Sequence, residues 1–86
     1  MHEASLMHDL MHRLLAAAER QGAERVVSVT VRLGALSHMS PDHFREHFDI
    51  AARGTLAEGA EIEAIEIPDI KDSNAADVVL ESFEIE

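Results

Sequence analysis

Between Ala4 and Gln21, apolar side chains recur three and four positions apart: Leu6, Leu10, Leu14 and Ala17, with Met7, Met11 and Ala18 widening the stripe. That spacing predicts an amphipathic helix over 4–21, with Asp9 and Glu19 off its buried face. Gly22 stands where a left-handed residue commonly closes a helix. From Arg25 onward the period changes to two. Val27, Val29, Val31 and Leu33 fall on one side, and Val26, Ser28, Thr30 and Arg32 on the other. A half-exposed strand over 25–33 follows. Ser40-Pro41-Asp42 reads as a second helix start: Ser40 as N-cap, Pro41 at the first helical position, and Asp42 against the positive end of the dipole. Phe44, Phe48 and Ala51 supply this helix's buried stripe, and Gly54 ends it.

Residues 60–67, AEIEAIEI, predict a second strand whose alternation slips at Ala64-Ile65. Residues 78–86, VVLESFEIE, predict a third, with Val78 and Leu80 on one face and then Phe83 and Ile85. Each slip suggests a bulge, and the two strands are expected to face one another with matched bulges. The segment between them, PDIKDSNAAD at 68–77, is a polar turn. The order is α-β-α-β-β, an α+β domain in which two helices cover one face of a three-stranded sheet. It spans 1–86 as a single domain without internal repeats. The polar turn and an open sheet edge leave room for a homodimer formed by strand exchange.

With 86 residues and only Phe44, Phe48 and Phe83 as aromatics, the core must be aliphatic. The absence of cysteine removes disulfides, thiolate metal sites and cysteine nucleophiles. The net charge of −10, with Lys71 the sole lysine, argues against nucleic-acid binding. It suits cations or a basic partner, although solubility alone also explains it. No apolar run approaches the roughly 18 residues of a membrane span, and the start has neither a basic leader nor an apolar h-region. A cytoplasmic location is therefore expected.

Candidate chemistry begins at the first residues. Met1 ahead of a bulky histidine is expected to be retained, leaving a free α-amine with the lowest reference pKa of any amine in the chain, near ~8. The His2 backbone nitrogen and imidazole lie one residue away. Together these donors can close fused chelate rings around one ion, and Glu3 adds a carboxylate or a further backbone nitrogen. Planar nitrogen coordination of this kind suits Ni(II) or Cu(II). The plain reading is a terminal histidine without a role. His8/His12 and His43/His47 each have the i,i+4 spacing that places two imidazoles on one helix surface. Either pair is also explained as a solvated helix flank, and a histidine-rich metal buffer is the functional alternative. His38, in the loop before the second helix, can reach the metal if that loop folds towards the terminus. Glu61, Glu63 and Glu66 alternate as a solvated strand face would, as do Glu81, Glu84 and Glu86. No Ser/His/Asp set stands out, and the four glycines are isolated. An enzyme is not expected.

Taken in order, MHEASL, QGAERVVSVTVRLGALSHMSPDHF and FDIAARGTLAEGAEIEAIEIP resemble the HypA (HybF) family of nickel metallochaperones of [NiFe]-hydrogenase and urease maturation, over residues 1–68; LESFEIE is similar to that family's last strand. The resemblance implies the α-β-α-β-β fold and nickel held by the amine of Met1, His2 and the backbone or side chain of Glu3. It implies two partners, a nickel-handling HypB-like GTPase and a hydrogenase large subunit. It also implies a zinc subdomain with two CxxC pairs between the last two strands, where this chain holds only PDIKDSNAAD; no zinc is expected. Ser40, with Asp42 just beyond, occupies the region where some members present an additional acidic nickel contact, and Asp42 or His38 is the expected substitute. A second expectation is an interaction adaptor that keeps the fold and docks on a hydrogenase or maturation factor without delivering metal.

Overall fold

The computed structural model describes the backbone of residues 2–86 and the side chains from Ser5 onward. Five elements follow in the expected order: α1 (His2–Arg20), β1 (Val26–Leu33), α2 (Pro41–Ala52), β2 (Glu61–Glu66) and β3 (Val78–Ile85). The sheet order is β2-β1-β3, with β2 parallel and β3 antiparallel to β1. β1-α2-β2 is thus a βαβ unit, and β3 closes the other edge of the central strand.

α1 ends in a Schellman motif. Ala23 N donates to the Ala18 carbonyl at 3.1 Å and Gly22 N to the Glu19 carbonyl at 3.0 Å. Gly22 takes φ +70°, which a Cβ would oppose. α2 starts as its sequence demands. The Ser40 hydroxyl accepts from the His43 amide at 3.1 Å, and Pro41 follows in the first turn. Phe44 and Phe48 are buried as expected, but Ala52 completes the stripe and Ala51 is only half-buried. Each step of four residues turns about 40° around the axis, so Ala52 continues the drift from Phe44 to Phe48, whereas Ala51 falls back past Phe44 on the other side of the stripe.

Met7, Leu10, Met11, Leu14 and Ala18 of α1 meet Val29, Val31 and Leu33 of β1 and the two phenylalanines of α2 in one aliphatic core. The strands depart from simple alternation in two places, and both are bulges on the β1–β3 ladder. Thr30 pairs with Ser82 and Val31 with Leu80, so Glu81 is an extra residue on β3. This keeps Val78 and Leu80, and then Phe83 and Ile85, on the core side, as the slipped sequence phase predicts. The second bulge lies in β1, where Val26 pairs with Ile85 and Ser28 with Glu84. Val27 is the extra residue, and Val26 therefore turns inward to complete burial, against the expectation from alternation. β2 carries no bulge: its register runs unbroken from Ser28↔Glu61 to Leu33↔Glu66. Nor does it face β3, because β1 lies between them, so matched bulges on facing strands do not occur. The apparent slip in β2 is Ile65, which stands on the open side of the sheet.

The β2–β3 connection has to cross the end of β1, and it is built to do so. Ile67 N donates to the Leu33 carbonyl, Gly34 N to Asp77 and Leu36 N to Ala75. Asp69 and Asp72 each accept from the amide two residues on, at 2.8 Å, shaping two successive Asx turns. Ala75 is buried, and a Cβ on Gly34 would collide with its carbonyl oxygen.

Candidate metal centre

The topology fixes where the candidate ligands gather. α1 feeds β1 through a short turn, and α2 returns to start β2 parallel to β1. Both helices therefore run against β1 and begin at the end of the sheet where β1 and β2 finish. Leu6, Asp9, Leu10 and Arg13 of α1 line a groove of about 520 Å³ with Val78–Leu80 of β3, which places the first half of α1 at this same pole. The His38 loop and the 68–77 connection lie there as well.

Met1 and the side chains of His2 and Glu3, the expected nickel ligands, lie outside the described residues. α1 begins at His2, so the donors of its first turn have no intrahelical acceptor.

His38 is exposed and takes φ +59°, a left-handed conformation uncommon away from glycine. The loop is held in that shape by Ser37, whose hydroxyl donates to the Gly34 carbonyl at 2.7 Å. His38 lines a cleft of about 330 Å³ with Met39, Glu66 and Ile67 at the ends of β1 and β2. Asp42 faces solvent in the first turn of α2, with Arg45 Nη1 3.3 Å away. Among the described residues, no three His, Cys, Asp or Glu side chains converge. His38 and Asp42 therefore form no closed metal site with other described groups.

The two i,i+4 histidine pairs differ sharply in setting. His8 and His12 are both exposed on α1. His43 and His47 are both half-buried, and their rings lie together with centroids 4.4 Å apart and planes at 34°. Spacing alone could not separate the pairs, because each histidine of either pair sits next to a buried apolar residue. What separates them is which flank of each helix its neighbours cover.

Among the described residues, no helix is long and apolar enough to cross a membrane. The family model described as hydrogenase/urease nickel incorporation, metallochaperone, hypA matches residues 1–74. The chain is 38% identical over 68 residues to the hydrogenase maturation factor HypA of Acidithiobacillus ferrooxidans, covering 79% of this chain and 60% of that protein. It is 39% identical over 72 residues to HypA of Archaeoglobus fulgidus, covering 83% and 66%. For HypA of a Roseiflexus species the identity is 43% over 68 residues, covering 79% and 55%. The chain thus spans less than two thirds of the length of these relatives, which are named as maturation factors rather than enzymes. The match runs through both helices and the βαβ unit, and on that footing the chain belongs to the HypA family of nickel metallochaperones.

Proposed function

We propose that this domain binds one Ni(II) ion through the α-amine of Met1, the backbone nitrogen and imidazole of His2, and Glu3, and passes it towards a [NiFe]-hydrogenase or urease under assembly. The observation that carries this reading is the family match beginning at residue 1, so that it includes the Met-His-Glu triplet. The chemistry supports it. An amine, a backbone nitrogen and an imidazole in succession form fused chelate rings, and nitrogen donors of this type suit Ni(II). Nickel is cargo here, so the site has to release it. A terminal segment is accessible to an incoming donor, and ligand exchange can proceed one bond at a time.

A nickel-handling HypB-like GTPase and the large subunit of a hydrogenase are the partners, and the cytoplasm is the compartment. The net charge of −10 draws cations and steers basic partner surfaces. Asp42 and His38 are secondary donors at the same pole.

Calorimetric titration with Ni(II), on protein carrying its authentic first residue, tests the assignment. One ion per chain is expected, with uptake lost in His2→Ala. Equal binding by His2→Ala overturns the site. Metal-independent capture of a hydrogenase subunit that survives His2→Ala would instead identify a docking module that does not deliver nickel.

A further inference from the structure

The geometry points to a second metal-binding position in this domain: His43 and His47 form a two-imidazole site for a late first-row divalent ion. Three observations carry it.

The first is separation. Two imidazoles that share one ion, each with a ring nitrogen ~2.1 Å from the metal, hold their centroids about 4.5–5 Å apart. The rings of His43 and His47 already stand at 4.4 Å. Rotation about the side-chain torsions, with α2 left as it is, would turn a nitrogen of each ring towards a shared ion. This is the i,i+4 spacing by which helical zinc sites present two histidines on one face.

The second is setting. Both residues are half-buried, whereas His8 and His12, with the same spacing, are exposed, and among the described residues no ring contact joins that pair. Partial burial restricts rotamers, so less side-chain entropy is lost when the ion binds.

The third is direction. Arg45 reaches the free edge of the sheet, its Nε donating to the Ile62 carbonyl at 3.4 Å. Residues two apart on a helix differ by about 200° around the axis. His43 therefore lies on the opposite flank, and His47, one turn on, lies with it. That flank looks across the core towards α1, at the pole where both helices begin.

Each imidazole has two nitrogens, so one can bind the ion while the other keeps a hydrogen bond that fixes the tautomer. Imidazole donors suit Zn(II), Cu(II) and Ni(II) rather than Mg(II) or Ca(II). With two protein ligands, the remaining coordination positions go to water or to a donor from another molecule. That is the coordination of a transit point, in contrast to a closed structural site.

The test uses the full chain with its terminus acetylated, which removes the α-amine and so separates this site from the terminal one. Zn(II), a diamagnetic member of the class, is the probe, followed by calorimetry and by NMR of the histidine ring signals. The expected result is uptake of a single ion per chain, with the His43 and His47 rings shifting together while those of His8 and His12 stay put. His47→Gln keeps the side-chain bulk and should abolish uptake; the double variant His8→Gln/His12→Gln should bind as the parent does. No uptake by the acetylated protein, movement of the α1 histidines instead, or unchanged binding in His47→Gln overturns the site. None of these results bears on nickel at the unmodified terminus, which His2→Ala addresses independently.

Discussion

Replacing Gly34 with alanine tests whether the β2–β3 connection is clamped onto the central strand. Gly34 follows the last residue of β1, and its Cβ would run into the Ala75 carbonyl oxygen, backbone that cannot rotate away. Overpacking against a fixed neighbour costs about 1–3 kcal/mol. Relieving it means lifting the connection. That strains the Gly34–Asp77 and Leu36–Ala75 hydrogen bonds, of 2.9 and 2.7 Å, each with a net value of about 0.5–1.5 kcal/mol. A loss of roughly 2–6 kcal/mol follows from the overpacking and the two hydrogen bonds together. A domain of this size has about 4–13 kcal/mol in total, so the variant sits near the margin. Urea unfolding followed by far-UV circular dichroism is the suitable assay, since the chain has no Trp or Tyr to report by fluorescence. Gly22→Ala is the control. It faces open space and carries only the cost of φ +70°, about 1 kcal/mol. If Gly34→Ala unfolds within about 0.5 kcal/mol of the parent, or no earlier than Gly22→Ala, the contact does not hold the connection and the reasoning fails.

Leu14 is fully buried at the centre of α1, so Leu14→Ala should cost about 2–5 kcal/mol in the same assay, while Ile50→Ala, 58% exposed on α2, should stay within about 0.5 kcal/mol of the parent. Ser40→Ala removes the acceptor for the His43 amide and should cost about 0.5–2 kcal/mol, with Ser40→Asp recovering most of it; equal stability of Ser40→Ala and the parent would deny Ser40 a capping role. For nickel at the terminus, the amine and the His2 imidazole bind only when deprotonated, so protons compete with the ion. Apparent affinity should fall steadily as pH drops from about 8 to 6, and a flat calorimetric profile over that range would contradict the ligand set.

Most of this fold is legible in the sequence because local signals and burial agree. Ser40-Pro41 and Gly22 mark helix ends that the hydrogen bonds confirm, and the slipped phase of VVLESFEIE is the bulge at Glu81. What escaped depends on partners that sequence order does not reveal. Val26 turns inward only because an antiparallel β3 forces Val27 out of register, and nothing local to RVVSVTVRL says so. The irregularity at Ala64-Ile65 looks like a bulge until β2 is seen in parallel register with β1, with Ile65 on the open face. The histidine pairs make the same point for chemistry. MHDLMH and HFREH carry identical spacing, and only the packing of the helix flanks brings one pair of rings together.

The parallel β1-α2-β2 unit gives the proposed metal site a location with a built-in electrostatic bias. In sheets of this kind, loops beyond the carboxyl ends of parallel strands meet the start of the following helix, which is where ligands tend to bind. Here that pole holds the start of α1, the His38 loop, and His43 within the first turn of α2. A helix start carries about half a positive charge, which favours anions and disfavours a cation by about 0.3–1 kcal/mol. An ion at this pole is thus held less tightly, by a factor of about 2–5, than by the same donors elsewhere. Asp42 is partly spoken for by Arg45, so it offsets this only in part. The acidic surface raises the local cation concentration over a longer range. On the proposed function, capture is favoured by the whole protein's charge while retention is weakened by the local dipoles, an opposition that fits the proposed hand-off of nickel.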